Sequence, residues 1–210
     1  MSFNVGVLVS GNGSNLQALI DSPELAASSA TIVKVISNVE GAFALARAAV
    51  AGVPSCVIDH RGFASREAFD QAIVDELQSA RVDLVVLAGF MRVVTKVLLS
   101  AFRYRVVNVH PALLPAFPGM HGVRQAIEYG VRVAGCTVHL VDQGVDTGPI
   151  LAQAVVNVLD EDDEASLADR IHAEEHRLLP QVVRWFAEGR VSVIEDGGRA
   201  RARIRGEQVG

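Results

Sequence analysis

Short β-branched apolar runs alternate with alanine-rich amphipathic segments through the first hundred residues of this 210-residue chain, and few architectures accept that pattern. Apolar runs at 5–10, 31–37, 55–59 and 83–88 have the length and composition of strands. The segments between them, 15–21, 41–51 and 65–80, have helical spacing, and Ser65 and Glu67 stand where an N-cap and a first-turn acid belong. A further short helix is expected over 95–102. Strand and helix in strict alternation build βαβ units on a parallel sheet.

The pattern changes after residue 105. Strands are expected at 106–110, 136–141 and 150–157 with one helix, 122–129, among them, which predicts a mixed or antiparallel half. A long amphipathic stretch follows over 164–188, where Pro180 removes a helical hydrogen bond and is expected to kink or split it. Residues 191–194 and 200–204 flank Gly197-Gly198 and read as a hairpin. Arg199, Arg201, Arg203 and Arg205 alternate on its second arm, the mark of a solvated edge strand blunted by charge. The expected fold is α/β: a Rossmann-like, mixed but mostly parallel sheet flanked by helices, with a C-terminal hairpin. A single domain over 1–210 is the simplest division, its halves meeting near residue 105.

Several classes of function are disfavoured by composition. The net charge of −5 and pI near 5.7 do not suit a nucleic-acid binder, which carries a basic face. Mean hydropathy is +0.30, yet the longest apolar run, around 84–90, is far shorter than the ~20 residues of a membrane span. No basic, apolar signal segment opens the chain. Cys56 and Cys136 have no metal-ligand spacing and read as two reduced core thiols, which places the protein in the cytoplasm. His110, His121 and His139 lie in separate segments without an HExxH pattern, so no metal site is expected. Small molecules are the expected partners, and the choice between monomer and homodimer stays open.

Two features carry chemistry. Gly11, Asn12, Gly13, Ser14 and Asn15 directly follow the first strand and open the first helix, where backbone N–H groups and the helix dipole hold an anion. The loop lacks the third glycine of GxGxxG, which falls at Leu16, and the GK[ST] ending of a Walker loop. Ser14 and Asn15 add donors suited to a phosphomonoester. The second feature is NVHPALLP at 108–115 with VDTGP at 145–149. In the alternating run Val106-Val107-Asn108-Val109-His110, the amide and the imidazole project from one face, and Pro111 ends the strand. Asp146 supplies an orienting charge. An amide, an imidazole and a carboxylate in one frame exceed what packing requires.

SGNGSN, SREAFD, LAGFMRVV, NVHPALLPAFPGMH, VDTGP and AEEH occur in the order seen in folate-dependent phosphoribosylglycinamide formyltransferases, and the chain resembles that family over nearly its whole length. The resemblance implies the formyltransferase fold and transfer of a formyl group from 10-formyltetrahydrofolate, as co-substrate, to the amine of glycinamide ribonucleotide in purine synthesis. It implies that Asn108, His110 and Asp146 are catalytic and that Gly11 to Asn15 take the ribonucleotide phosphate. Glu175 is implied to contact another part of that substrate. Folate is implied to lie against Arg66, Met91, Arg92, Val93, Val94 and Asn108, and against Val141, Asp142, Gln143, Gly144, Val145 and Asp146. The first 105 residues would then hold the phosphoribosyl group, the remainder the folate and the catalytic groups. On the residues alone Glu175 reads as a solvated helix position, Met91 as core and Arg66 as a helix charge. Val93-Val94, Ala112 and Leu140 depart from the family's commoner residues.

Three other readings compete. A formyltetrahydrofolate hydrolase or a methionyl-tRNA formyltransferase shares the Asn/His/Asp frame but carries an added domain for which this chain has no room. A nicotinamide-dependent oxidoreductase would use the early glycine loop, but it wants an acidic residue at the end of the second strand, where Ser37-Asn38 stand. A non-catalytic nucleotide-binding module would not need His110.

Overall fold

The computed structural model describes residues 2–206. Its strands and helices run β1 (Phe3–Val9), α1 (Ser14–Asp21), α2 (Pro23–Ala26), β2 (Ala30–Ser37), α3 (Phe43–Val50), β3 (Ser55–Val57), α4 (Arg66–Ser79), β4 (Leu84–Leu87), α5 (Lys96–Ala101) and β5 (Val106–His110). They continue with α6 (Gly122–Tyr129), β6 (Val133–Leu140), β7 (Ile150–Asn157), α7 (Glu164–Ala187), β8 (Val191–Asp196) and β9 (Arg199–Ile204). A 3₁₀ turn spans His60–Gly62.

Seven strands form one sheet in the order β3-β2-β1-β4-β5-β6-β7, and β8-β9 make a separate antiparallel hairpin. Pairing is parallel from β3 through β5 and antiparallel from β5 through β7. The sheet thus takes strands from both halves of the chain, with the change of direction where the sequence pattern changes. Ser65 caps α4 by accepting the Ala68 N–H at 3.1 Å, with Glu67 in the first turn.

The period of two within each strand sends alternate side chains to opposite faces. On one face Val5, Val7, Val9, Val107, Val109, Val138 and Leu140 pack with residues of α1, α3 and α7. On the other, Leu8, Val85, Leu87 and Val106 pack beneath Phe69 and Ile73 of α4 and Leu98 of α5. Asn108 and His110 continue that second face beyond Val106, and the register sets His139 opposite Asn108 and Thr137 opposite His110. Half of this face is therefore apolar under helices and half is polar under loops.

Three expectations are corrected. The α7 helix is unbroken for 24 residues, with a buried Pro180 inside it rather than at a division. Its buried stripe, including Leu167, Ile171, Leu178, Val182 and Trp185, explains why. Each such side chain contributes about 1.5–3 kcal/mol on burial, which together outweighs the ~3 kcal/mol of an interior proline. Cys56 is not a core thiol but half-buried on β3, at the sheet edge, while Cys136 is buried. Met91 is 75% exposed, because it follows β4 in the loop at the open carboxyl edge of the sheet. Among the described residues no helix is long and apolar enough to cross a membrane, and no cluster of three or more His, Cys, Asp or Glu could hold a metal.

Candidate active site

The loop at 111–121 returns over the polar half of the sheet because a buried network holds it there. Thr137 Oγ1 donates to Ala112 O at 2.7 Å and accepts from Leu114 N and from Gln153 Nε2, each at 3.0 Å. Gln153 Nε2 also donates to Leu114 O at 3.0 Å. A hydroxyl with one donor and two acceptor sites is fully used by this arrangement. Neither Thr137 nor Gln153 stood out in the sequence, where a polar residue on a strand's second face marks solvent as readily as a buried latch.

The loop so held carries the Phe117 carbonyl to His110. His110 is 5% exposed, and its Nε2 donates to Phe117 O at 2.8 Å. Its Nδ1 faces Asp146 Oδ2 at 3.4 Å. Both ring nitrogens therefore face acceptors, Phe117 O on one side and the Asp146 carboxylate on the other.

Asp146 is the hub. Its Oδ2 also accepts the Gly119 N–H at 2.8 Å, and its Oδ1 lies 3.5 Å from His139 Nε2. Its backbone is in the left-handed region at φ 54°, a conformation costly for a non-glycine residue and kept where surroundings enforce it. Burial by itself pushes the carboxyl up. Bonding from His139 and from the Gly119 N–H, with the charge of both imidazoles, outweighs that and holds it below the ordinary carboxylate range.

His139 joins the site although sequence reasoning passed over it. It is 1% exposed, its Nδ1 donates to Leu140 O at 2.9 Å, and its Nε2 lies 3.3 Å from Asn108 Nδ2. Without a proton Nε2 accepts from the Asn108 amide; with one it donates to Asp146. In the first state one N–H of the Asn108 amide is held toward the strand and the second is left to offer a ligand. The signal was its position on the same face as Thr137, two residues earlier.

These residues open on a cavity of about 500 Å³. Met91, Arg92, Val93, Val94, Asn108, Val141, Asp142, Gly144, Val145 and Asp146, all expected at one site, line it together with His110. Its rim is apolar and exposed at Met91, Val93, Met120 and Val145. Arg66 lies outside the lining, its Nη2 donating to Val93 O at 2.7 Å, and Gln143 is also outside it. Of the departures, Val93 and Val94 touch the cavity, whereas Leu140 packs on the opposite face of the sheet and Ala112 is buried in the loop.

The Gly11 to Asn15 loop lies at the carboxyl end of β1. Gly13 is its tight point: φ is 76°, and a Cβ there would stand 2.6 Å from that of Ala44. No side chain caps α1, so its first N–H groups remain for a ligand. Asn15 Nδ2 donates to Glu175 Oε2 at 3.0 Å, tying the loop to α7. Glu175 is 3% exposed, which overturns its reading as a solvated position, and burial raises its pKa against the opposing effects of Asn15, His172 and His110. The signal was present: Leu167, Ile171, Glu175, Leu178 and Val182 form one helical stripe. At the end of β2, Asn38 Oδ1 accepts from Ser10 Oγ at 2.6 Å, so an amide occupies the place where a dinucleotide site needs a carboxylate.

A mostly parallel, helix-flanked sheet with a ligand loop and a His/Asp pair at its open edge defines an α/β enzyme of the Rossmann-like class. Residues 3–183 match the formyl transferase family, and the chain belongs to it. It is 51% identical over 187 residues to the trifunctional purine biosynthetic protein adenosine-3 of Drosophila melanogaster, covering 88% of this chain but 14% of that protein. Against the phosphoribosylglycinamide formyltransferase of Escherichia coli (strain K12) it is 42% identical over 193 residues, 92% of this chain and 91% of that enzyme. The crystal structure of glycinamide ribonucleotide transformylase 1 from Symbiobacterium toebii superposes with a TM-score of 0.91 at 49% identity, over 97% of this chain and 94% of that one.

Proposed function

We propose that the protein transfers the formyl group of 10-formyltetrahydrofolate to the amine of 5'-phosphoribosylglycinamide, the activity named for its full-length bacterial relative. The observation that carries this reading is the meeting of Asn108, His110 and Asp146 in one cavity with an apolar, exposed rim. Such a rim suits the flat rings of a folate, and the loop at Gly11 to Asn15 suits a phosphate.

Attack of the amine on the formyl carbon forms one C–N bond and turns the carbonyl oxygen into an oxyanion. Asn108 offers its free N–H to that oxygen, worth about 3–4 kcal/mol in a preorganised site. As the intermediate collapses, re-forming C=O and breaking the bond between carbon and the folate nitrogen, His110, held by Asp146, gives a proton to that nitrogen, and the proton lost by the attacking nitrogen returns to the imidazole. No side chain need act as nucleophile, since positioning two substrates lowers the barrier by several kcal/mol. Because Nε2 of His110 already bonds Phe117 O, a ligand taking its proton by that nitrogen must displace that carbonyl.

The test is an assay of the purified protein with both substrates, following formylglycinamide ribonucleotide and free formate separately. Formate without the nucleotide product would make the chain a hydrolase, and no turnover at all would sink the reading.

A further inference from the structure

Arg47 was not among the expected site residues, and its bonding pattern is unusual. From the last turn of α3 its Nε donates to Asn12 O at 2.9 Å, its Nη2 to Asn12 Oδ1 at 2.8 Å and its Nη1 to Gln17 Oε1 at 3.0 Å. All three acceptors are neutral. A guanidinium normally finds a carboxylate or phosphate for its fork; here the nearest acid in the chain of bonds is Asp21, which accepts from the far end of the Gln17 amide at 2.9 and 3.0 Å. The guanidinium also lies over the Phe43 ring, 4.8 Å from its centre.

The surroundings suit an anion. His176 Nε2, a ring nitrogen that can donate to an anion, is buried without a partner among the described residues, although such atoms are nearly always paired in folded proteins. His176 is held below its usual range first by burial and then by the positive charges of His172 and Arg47. A cavity of about 560 Å³ lies against Ser14, Gln17, Arg47 and His176, with Arg177 and the carboxylates of Asp21 and Glu24 also on its wall. The Arg47 charge, uncapped helical N–H groups and one unpartnered imidazole nitrogen surround the Gly11 to Asn15 loop.

We propose that Arg47 is the specificity-determining cation of this loop. It fixes the loop's shape through Asn12 and leaves its charge beside the anion that the backbone N–H groups take, so that a phosphomonoester is chosen over the same ligand without its phosphate. Arg47 is a positioning and charge-bearing residue rather than a catalytic one. The inference rests on reading this loop as the substrate's phosphate site.

The experiment titrates the full chain with inorganic phosphate and with ribose 5-phosphate, by nuclear magnetic resonance at two salt concentrations, for wild type, Arg47→Gln and Arg47→Lys. Wild type is expected to bind both ligands, more weakly in high salt. Arg47→Gln should lose about tenfold in affinity for each and most of the salt dependence, while Arg47→Lys, which keeps the charge, should stay within about threefold of wild type. In the formyl-transfer assay Arg47→Gln should raise KM for the phosphorylated amine by the same factor and leave KM for the folate donor and kcat within about twofold. Unchanged phosphate affinity in Arg47→Gln overturns the proposal. So does an equal loss in a folded Arg47→Lys, which would show that loop shape alone matters, or a wild type that binds neither ligand. Phosphate binding that behaves as expected without any formyl transfer would leave Arg47 its role and refute the proposed reaction instead.

Discussion

Asp146 Oδ2 stands 3.4 Å from His110 Nδ1 while the same oxygen accepts the Gly119 N–H at 2.8 Å, so one carboxylate orients the imidazole and anchors the loop that packs against it. Asp146→Asn keeps the size and an acceptor but removes the charge. It is expected to lower kcat/KM by roughly 10²- to 10³-fold, the scale of losing one preorganised electrostatic contact in a transition state. Steady-state kinetics check this, and a loss below about fivefold would remove Asp146 from the proposed mechanism.

Glu175 links the site to stability through pH. Its folded pKa is raised, chiefly by burial, so the folded state holds a proton that the unfolded chain releases above about pH 4.3. Stability from this group is full below that pH and falls as pH climbs toward the folded value. Glu175→Gln keeps an oxygen for the Asn15 amide and has no proton to lose. The melting temperature of the variant, relative to wild type, should therefore rise between pH 4.5 and pH 8. A difference that stays constant across that range would show Glu175 to be uncharged, or equally charged, in both states.

What the sequence disclosed follows from the range over which each signal acts. Asn108 and His110 were legible because they break an apolar strand on one face at a spacing of two, a local pattern. The parallel half of the sheet was legible because βαβ units repeat along the chain. His139 was not, since its place beside Asn108 is fixed by the antiparallel register of β5 and β6, which joins residues 31 apart. Arg47 was hidden for the same reason: its bonds to Asn12 span 35 residues, and alone it is one more charge on a helix. Pro180 misled because its local cost is plain in sequence, while the packing of α7 that overrides it is a property of the whole fold.

Thr137 should prove to be the structural support of the histidine loop. Thr137→Val preserves shape and removes the acceptor for Leu114 N, the donor to Ala112 O and a partner of Gln153. Buried groups left without partners cost about 1–3 kcal/mol. Denaturant unfolding should show a lower midpoint with an unchanged slope, and a midpoint equal to wild type would mean that water replaces the hydroxyl at no cost.

Two glycines bracket Asp146, and they should differ in what they tolerate. A Cβ on Gly148 would lie 1.9 Å from the backbone oxygen of Leu140, and that oxygen ends β6, where the His139 ring also donates to it. A Cβ on Gly144 would meet Thr147 Oγ1 at 2.0 Å, the tip of an exposed side chain whose bond to Asp142 is the contact given up if it turns away. Overpacking against fixed backbone costs about 1–3 kcal/mol and at times more, whereas a side chain that swings aside loses about 0.5–1.5 kcal/mol of hydrogen bonding. Gly148→Ala is thus expected to be the more destabilising variant. It should also lose more formyl-transfer activity, because relieving its clash moves the segment that holds Asp146 against His110. Thermal unfolding and kcat/KM measured for both variants test the order, and equal effects would show that the 144–148 segment moves as one piece to admit either methyl group.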